Sequence, residues 1–585
     1  MFNTHRPIVA DTSKGGASRV SESRFFSRVT IVLTILAALT WVIMLLWQVS
    51  TVLHRGRGSY DLGYDDVVYA LVGKRTVAEV VERGFLQALT EWVASPPHAP
   101  FLEAYSISVQ AIFGPDQQAL YLSLSVLLAL GSFAFGYAIG TTWLIRFAVA
   151  AVVAASPLGY LTANEFRPDV FYVLAAMCAI AFTARAALNS VPAREASRFM
   201  PPVCVGVMLL FLKPPWILLT VGIFLGMLSA IVIYGFGVAM SSRPGERTAC
   251  FMVTLWKVIH RPLLLVAFVG VAWIFWLGTS TYDYLFGARD HPYFFAASPT
   301  GALQETYEST MVYLGTSAVP AIYFAISASV VLAGFLVVRC RLGGRQAIDL
   351  ALLTTPIVSV AFVVAATAAA EHPSPFQGIY IYGVIAASVA TSLGYLALRG
   401  ARILPTHLRR AATLLAGIVL LASVGLFVHS GAPTRGIPPM FADPFRAETR
   451  VAHAITEACP RPMRVASAND SSREVSVLVA PIEDMSWEGV AYYLPDESTS
   501  GSGFFVTAPD SMTANPATLI ALAKQFDFVV VRSTNYVANR IPSNMLLQDL
   551  HEALLNDSTY RQLPAGLPDD SYSVFARQSA CGPRS

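Results

Sequence analysis

Long apolar runs separated by short polar segments follow one another from Val29 to about residue 429. The first run ends near Ser50, and the others lie at about 119–139, 142–162, 170–188, 200–212, 215–240, 263–279, 317–338, 350–370, 378–398 and 411–429. A helix needs about 20 mainly apolar residues to cross a bilayer. The pattern therefore predicts an α-helical polytopic membrane protein with about 11 transmembrane helices.

The polar stretch 51–118, which follows the first run, has a helical pattern of its own. Apolar residues recur at helical spacing among charged ones between Thr76 and Val93, and Phe101 to Phe113 repeats this pattern after a proline-rich turn. Helices with one apolar face lie in the membrane interface. We therefore expect two amphipathic interface helices in the first outer loop.

Residues 430–585 have a different pattern, in which short β-rich runs alternate with helical segments after a linker rich in glycine and proline. The β-rich runs are Val475–Val479, 503–507, 526–532 and Tyr572–Phe575, and the helical patterns lie at about 516–525 and 543–556. Such alternation predicts a small α/β domain. Because this domain contains neither a glycine-rich phosphate loop nor a nucleophile elbow, we expect it to position a substrate or bind a partner.

Composition and charge support the membrane assignment. Hydrophobic residues make up 55% of the 585 residues and charged residues only 13%, whereas soluble domains have about 25% charged residues. Basic residues concentrate in the first 28 residues and in alternate loops, as the positive-inside rule requires of cytoplasmic segments. We therefore expect a plasma (inner) membrane protein with a cytoplasmic tail 1–28, a membrane domain 29–429 and an extracytoplasmic domain 430–585.

Two of the six cysteines flank the tail domain. Cys459 and Cys581 can form a disulfide bond in an oxidising compartment, and two free thiols are the alternative. The outer location predicted for the tail favours the disulfide. No spacing of cysteine and histidine indicates a zinc site.

Two adjacent carboxylates, Asp65 and Asp66, follow the first span in a chain with few charges. At a membrane surface a carboxylate can accept a proton from an attacking hydroxyl or amine, or it can hold a divalent cation such as Mg²⁺ or Mn²⁺. The alternative is that both carboxylates are solvated loop residues.

Further charged residues concentrate in the loops predicted to lie on the same, outer side. Asp169, together with Asp65 and Asp66, could supply a base or bind a metal. The basic residues could neutralise a phosphate, and they are His98, Arg167, Lys213, Arg289, His291 and His372. Acidic and basic groups on one face of a protein that otherwise avoids charge indicate a functional site.

Four of these segments, in this order, resemble motifs of the GT-C glycosyltransferases, the integral-membrane enzymes that include protein O-mannosyltransferases and aminoarabinose transferases. They are Tyr64-Asp65-Asp66-x-x-Tyr69, the segment from His98 to Gly114, Glu165-x-Arg167-Pro-Asp169, and Leu212-Lys213. The first segment departs from the family's Asp-Glu pair, because Asp66 is one methylene shorter than glutamate. The likeness is clearest over residues 50–225 and continues only as architecture into the tail.

The resemblance implies transfer of a sugar from a polyisoprenyl-phosphate donor to a protein, lipid or polysaccharide acceptor on the outer face, with inversion at the anomeric carbon. It implies that Asp65 is the general base. Asp66 and Asp169 would orient the acceptor, support Asp65 or bind a divalent ion. The donor phosphate would be held by Lys213, Arg167 and His98, while the donor's lipid tail stays in the bilayer.

Two other functions compete with a glycosyltransferase. A transporter or flippase of lipid-linked sugars would be expected to show internal repeats and ionisable residues at the bilayer midplane, and neither pattern is evident. A non-enzymatic envelope scaffold would explain the tail domain but not the ordered motifs between residues 60 and 215. Membrane lipids are expected partners in every case, and nucleic acid is not.

Overall fold

The computed structural model describes most of the first 282 residues and much of the tail. The described residues are 16–54, 64–95, 99–189, 200–213, 217–240, 242–282, 405–429, 447–459, 475–481, 487–494, 504–509, 513–535, 542–565 and 572–580, with the single residues 301, 304, 358, 387, 390, 391 and 485. Helices occupy the first part, and strands begin at Val475.

Among the described residues, helices α1 to α12 precede the tail. The first six are α1 Gly16–His54, α2 Tyr64–Arg83, α3 Phe85–Ala94, α4 Pro100–Phe113, α5 Gln117–Ile139 and α6 Trp143–Ala155. The next six are α7 Pro157–Asn164, α8 Pro168–Asn189, α9 Met200–Leu212, α10 Ile217–Met240, α11 Arg247–Tyr282 and α12 Thr406–His429. A short 3₁₀ helix, Pro244–Glu246, precedes α11.

Five helices of the described part are long and apolar enough to cross a membrane. They are Phe26–His54, Gln117–Ile139, Pro168–Ala186, Pro244–Tyr282 and Leu408–His429. Shorter apolar helices lie at Trp143–Ala155, Met200–Leu212 and Thr220–Val232. The helical membrane architecture predicted from the sequence is therefore confirmed, while the predicted runs at 317–338, 350–370 and 378–398 fall outside the described residues.

The apolar run predicted as one span over residues 142–162 is two helices, α6 and α7. Its break falls at Ser156, whose side chain accepts a hydrogen bond from the Gly159 backbone N–H at 3.3 Å and so caps α7. Pro157 follows and lacks the N–H that would continue the hydrogen bonding of α6. The prediction of a single span was wrong here. It used only the apolar character of the run and did not take into account the capping serine and the proline within it.

The amphipathic stretch predicted between Thr76 and Val93 is also divided. Gly84 adopts φ 88°, a left-handed conformation that ends α2 and begins α3. Helix α2 also starts twelve residues earlier than predicted, at Tyr64, so Asp65 and Asp66 lie in a helix and not in a loop. The second predicted helix, Phe101 to Phe113, matches α4 Pro100–Phe113 within one residue, and its location in the membrane interface remains a prediction.

The tail contains a mixed five-stranded sheet with helices, which confirms the predicted α/β composition. The strands are β1 Val475–Val479, β2 Phe504–Thr507, β3 Phe528–Arg532, β4 Tyr560–Leu563 and β5 Tyr572–Arg577. The helices are α13 Ala447–Ala458, α14 Trp487–Tyr493, α15 Pro516–Ala523 and α16 Leu547–Leu555, with a 3₁₀ helix at Pro542–Leu546. The sheet order is β2-β1-β3-β5-β4, in which β1 is parallel to β2 and β3, and β5 is antiparallel to β3 and β4.

The tail packs directly onto the helical part. One cluster of buried apolar side chains continues from α2, α4, α5 and α8 into α13, α14, β1 and β3 of the tail. Burial of apolar surface is the main favourable term in association as well as in folding. The two parts therefore share a core at the end of the helices where α2 begins.

Candidate functional site

Asp66 lies in the first turn of α2 and is buried, with 2% of its side chain exposed. Its Oδ2 accepts hydrogen bonds from the Tyr121 hydroxyl of α5 at 2.5 Å and from the Phe166 backbone N–H at 3.1 Å. Its Oδ1 accepts one from Arg167 Nε at 3.3 Å. A buried carboxylate requires such donors and a counter-charge. Asp66 therefore ties α2, α5 and the segment before α8 together at one point.

The segment between α7 and α8 supplies the counter-charge. Glu165 is the C-cap of α7, and Arg167 precedes Pro168, the first residue of α8. Besides its bond to Asp66, the Arg167 guanidinium lies 4.0 Å from Glu165 Oε2. One buried guanidinium is thus shared between two carboxylates, and Pro168 limits the conformations open to the arginine that holds them.

A second ion pair joins α8 to the end of α9. Lys213 Nζ donates a hydrogen bond to Asp169 Oδ1, and both side chains are largely buried. Asp169 lies in the first turn of α8, and Lys213 directly follows α9, so each charge is at the helix end where the helix dipole favours it. This pair lies two residues along the chain from Arg167, so both ion pairs belong to one polar cluster.

Buried aromatic and hydroxyl groups lie next to these charges. The Phe166 ring is fully buried, and its centroid lies 6.4 Å from that of Tyr105 on α4. One turn into α8, the Tyr172 hydroxyl shares a hydrogen bond of 2.8 Å with the Thr220 hydroxyl of α10. Apolar surroundings lower the local dielectric constant and strengthen each electrostatic interaction in the cluster.

Three tryptophans join helix α3 to α9 and α11. Trp276 Nε1 donates to the Val93 carbonyl at 2.9 Å, and its ring meets that of Trp92 edge to face at 5.3 Å. Trp273 Nε1 donates to the Leu210 carbonyl at 2.9 Å, one turn before Lys213. Edge-to-face pairs and indole hydrogen bonds fix relative orientation. Helix α3 is therefore held beside the C-terminal end of α9, which Lys213 follows.

Lys74 fastens the tail domain to α2. It is buried two turns beyond Asp66 on the same face of the helix, and its Nζ donates to the carbonyls of Tyr492 at 2.8 Å and Leu494 at 3.1 Å. The Tyr493 hydroxyl donates to Gln117 Oε1 at 2.7 Å at the start of α5. A charge-assisted hydrogen bond is about twice as strong as a neutral one. The end of α14 is thereby held against the two helices that carry Asp66 and Tyr121.

The structure brings together four of the site residues expected from the sequence, namely Asp66, Arg167, Asp169 and Lys213. Asp65 is placed one residue before Asp66 in the first turn of α2. His98, Arg289, His291 and His372 lie outside the described residues. The roles expected for these residues remain predictions.

The surroundings of Asp66 do not suit a metal ligand. Both of its carboxylate oxygens accept hydrogen bonds, and one of the donors is the Arg167 guanidinium, whose positive charge would repel a cation. Within the described stretches, no group of three His, Cys, Asp or Glu side chains could hold a metal ion. A divalent cation at Asp65 remains a prediction from the sequence alone.

Cys459, at the end of α13, is disulfide-bonded. Its predicted partner, Cys581, lies outside the described residues. The residue before it, Ala580, packs against the apolar cluster that contains Cys459. The pairing of Cys459 with Cys581 remains a prediction that this packing favours.

Sequence reasoning missed Tyr121 and Lys74. Tyr121 lies near the start of a predicted span, and no sequence pattern identifies its hydroxyl as a hydrogen-bond partner of Asp66. Lys74 did carry a signal, because residues 66, 70 and 74 share one face of a helix. A helix that buries Asp66 must also bury Lys74, and a buried lysine needs carbonyl or carboxylate partners.

No family model and no curated protein sequence matches the chain. Solved structures of low sequence identity are similar to the chain over most of its length. Apo ArnT from Cupriavidus metallidurans has a TM-score of 0.49 and 12% identity, with coverage of 95% of this chain and 99% of that chain. The same protein bound to undecaprenyl phosphate has a TM-score of 0.47, with the same identity and coverage.

The apo oligosaccharyltransferase of Archaeoglobus fulgidus has a TM-score of 0.46 and 10% identity, with coverage of 95% of this chain and 75% of that chain.

Proposed function

We propose that this chain is an integral-membrane glycosyltransferase that moves a sugar from a polyisoprenyl-phosphate donor to an acceptor hydroxyl or amine. The observation that carries the proposal is the buried cluster of two carboxylates and two cations at one end of the helices, where α2 begins and the tail domain docks. Burying four ionisable side chains is costly in a membrane protein, and such groups mark functional sites.

The reaction forms a bond between the anomeric carbon and the acceptor oxygen or nitrogen, and breaks the bond between that carbon and the donor's phosphate oxygen. The acceptor's proton passes to a base, and the polyisoprenyl phosphate leaves with its negative charge. Attack on the side opposite to the leaving group inverts the anomeric carbon. The protein therefore has to supply one base and a set of cations, separated by the sugar.

We assign the base to Asp65. Its neighbour Asp66 accepts hydrogen bonds from Tyr121, Phe166 and Arg167. Asp66 is therefore a positioning residue for the start of α2. A general base must be held within hydrogen-bond reach of the proton that it removes. By fixing the first turn of α2 from two sides, Asp66 restricts the position that Asp65 takes relative to the bound acceptor.

We assign stabilisation of the leaving phosphate to Lys213, supported by Arg167. Lys213 retains more exposure than its partner Asp169, with 16% of its side chain accessible against 7%. A lysine ammonium carries a full positive charge, and the exposed part of Lys213 can approach the oxygens of a phosphate. Asp169 then orients the ammonium, and the negative charge that develops on the phosphate meets a cation already in place.

We further propose that the N-terminus is cytoplasmic and that the cluster and the tail lie on the outer side of the plasma membrane. The distribution of arginines supports this orientation. The described structure supports the common location of cluster and tail, because Lys74 and Gln117 hold α14 next to the helices of the cluster. A tail domain in that place can position the acceptor.

The test compares envelope glycans and glycolipids by mass spectrometry in cells that lack the protein. The cells are restored with the native chain, with Asp65→Asn, or with Asp116→Asn at matched membrane levels. Asp116 is an exposed N-cap at the start of α5, and asparagine preserves its capping of the Gln118 N–H. We expect one species to gain a sugar with the native chain and with Asp116→Asn, but not with Asp65→Asn.

Full restoration by Asp65→Asn would remove Asp65 from the mechanism. If no species differed between cells with and without the native chain, the glycosyltransferase proposal itself would fail. Movement of a lipid-linked sugar across the membrane without covalent change would instead identify a flippase.

A further inference from the structure

Two arginines meet at the end of the helices that is remote from the cluster. Tyr137 lies sixteen residues after Tyr121 on α5, and Arg185 lies sixteen residues after Asp169 on α8. At 1.5 Å per residue, both are about 24 Å from the cluster along their helices. Arg146, on α6, comes to the same place because α6 returns antiparallel to α5 after a short turn. The hydrocarbon core of a bilayer is about 30 Å thick, so this end lies near the opposite membrane boundary, which long arginine side chains can reach.

Both guanidinium groups lie against one tyrosine ring. The Arg146 and Arg185 Cζ atoms are 4.3 Å and 4.2 Å from the Tyr137 ring centroid, and Arg146 also lies 4.6 Å from the Trp143 centroid. Arg146 Nε donates to the Gly140 carbonyl at 3.2 Å, and Arg185 donates to the Tyr137 carbonyl. Because both Cζ atoms lie this close to the same ring centroid, the two guanidinium groups are near one another.

Nothing in this part of the described structure neutralises the two charges. Helices α5, α6 and α8 and their connections contain two acidic residues, Glu165 and Asp169, and both belong to the cluster at the other end. Within the described stretches, no carboxylate lies at salt-bridge distance from Arg146 or Arg185. Two like charges held this close repel one another. An anion between or beside them would remove that repulsion.

The surroundings indicate which anion fits. Each guanidinium has five N–H donors, of which one is used by a backbone carbonyl, and the remaining donors suit the paired oxygens of a phosphate. Tyr137 and Trp143 are exposed, and such aromatic residues lie at the headgroup level of a membrane. Basic pockets between transmembrane helices at the cytoplasmic boundary bind anionic lipid headgroups.

We propose that Arg146 and Arg185, with Tyr137 and Trp143, form a binding site for the phosphate headgroup of an anionic phospholipid in the leaflet opposite the active site. The site is independent of the proposed transfer reaction, since no residue is common to both. It gives the end of the helix bundle formed by α5, α6 and α8 a fixed lipid partner, and so makes the stability of the protein depend on lipid composition.

The test is native mass spectrometry of the full chain in detergent with added phosphatidylglycerol or phosphatidylcholine. We compare the native chain, Arg146→Gln/Arg185→Gln, and the control Arg243→Gln/Lys257→Gln. The control removes two exposed charges, Arg243 before α11 and Lys257 about three turns into it. The native chain and the control should retain phosphatidylglycerol at least tenfold more tightly than the double arginine variant does, because that variant loses the charged donors of both guanidinium groups. Phosphatidylcholine should bind all three chains equally weakly.

Equal retention of phosphatidylglycerol by the native chain and the arginine variant would overturn the proposal, as would equal loss in the control. Displacement of the lipid by millimolar inorganic phosphate would assign the site to a soluble phosphate and would also overturn it. If the glutamine variant does not purify as a folded monomer, Arg146→Lys/Arg185→Lys decides the matter. Lysine keeps the charge but cannot bind two phosphate oxygens through one planar group, so we expect binding to fall several-fold, and unchanged binding would refute the site.

Discussion

The two ends of α5 and α8 use arginine in opposite ways. At the cluster end, Arg167 is buried and pairs with Asp66, which is itself held by three donors. At the other end, Arg146 and Arg185 lie against an exposed tyrosine without a carboxylate among the described residues. The difference follows from solvation: a charge removed from water needs a counter-charge, whereas a charge at the membrane boundary keeps water or headgroups on one side. The same residue type therefore pairs with a buried carboxylate at one end and contacts aromatic rings and backbone carbonyls at the other.

The largest effect should come from breaking the buried pair. Arg167→Gln leaves Asp66 buried without its counter-charge, and we expect the free energy of unfolding to fall by about 3–5 kcal/mol. Arg185→Gln at the other end should cost under about 1 kcal/mol, the value of an exposed cation–π contact. Thermal unfolding in detergent, followed by tryptophan fluorescence, measures both. In the double variant Asp66→Asn/Arg167→Gln the loss should be partly recovered. Equal losses for the two single variants would contradict the comparison.

The next effect concerns the tail. Lys74→Met removes two charge-assisted hydrogen bonds from Lys74 to the end of α14, and we expect the docking of the tail to weaken by about 2–3 kcal/mol. The rate at which a protease releases the tail from purified protein should then rise more than tenfold. Arg83→Met on the same helix is the control, because its pair with Glu91 is exposed and contributes little. An unchanged rate for Lys74→Met would show that the shared apolar core alone holds the tail.

A smaller effect is expected from single hydroxyl groups at the two ends of α5. Tyr121→Phe removes one donor from Asp66 while keeping the ring, so we expect a loss of about 1–2 kcal/mol and a fall in sugar transfer of about tenfold. Tyr137→Phe keeps the ring between the two arginines and should leave stability and transfer unchanged. Transfer is measured by mass spectrometry of the sugar-bearing product at matched protein levels. A similar fall for Tyr137→Phe would mean that transfer depends on helix α5 as a whole and not on the fixed position of Asp66.

The smallest effect lies in the tail, where a group can change its charge near neutral pH. Burial lowers the pKa of His551 below its usual 6.5, and its Nε2 lies 3.0 Å from Ser573 Oγ. Because the folded state holds this proton less tightly than the unfolded state, the contribution of neutral His551 is present above about pH 6.5 and is lost as the pH falls towards the lowered value. We expect a slightly lower unfolding temperature at pH 5 than at pH 7.5, and a smaller difference in His551→Gln. An equal pH dependence in that variant would assign the effect to other groups.

Local pattern and long-range pairing were predictable to different degrees. The strand Val475–Val479 was predicted with its observed bounds, because alternating β-branched residues identify a strand by themselves. Helix α4 was predicted within one residue, because apolar residues at helical spacing identify an amphipathic helix by themselves. Helix α14 and strand β4 were not predicted, since each is short and mixes polar with apolar residues. Whether such short segments form a helix or a strand depends on their tertiary packing.

At the site, the sequence identified the charged residues but not their pairing. Asp66 and Arg167 are separated by 101 residues, and Asp169 and Lys213 by 44. A single sequence shows which residues carry charge, but not which carboxylate faces which cation. The capping serine at 156 and the left-handed glycine at 84 were visible as residues, yet their effect appears only once the neighbouring helices are placed.

The bond between Lys74 and α14 joins residues that are made at very different times. The two carbonyls that bind Lys74 lie 418 and 420 residues later in the chain. At 5–20 residues per second, a ribosome needs about 20–80 s to reach them after it has made Lys74. During this interval the helices that precede the tail have been inserted, but Lys74 cannot yet form its two bonds to the tail. Docking of the tail is therefore complete only after the last quarter of the chain has been synthesised, and a product truncated before Tyr492 would lack both of these bonds.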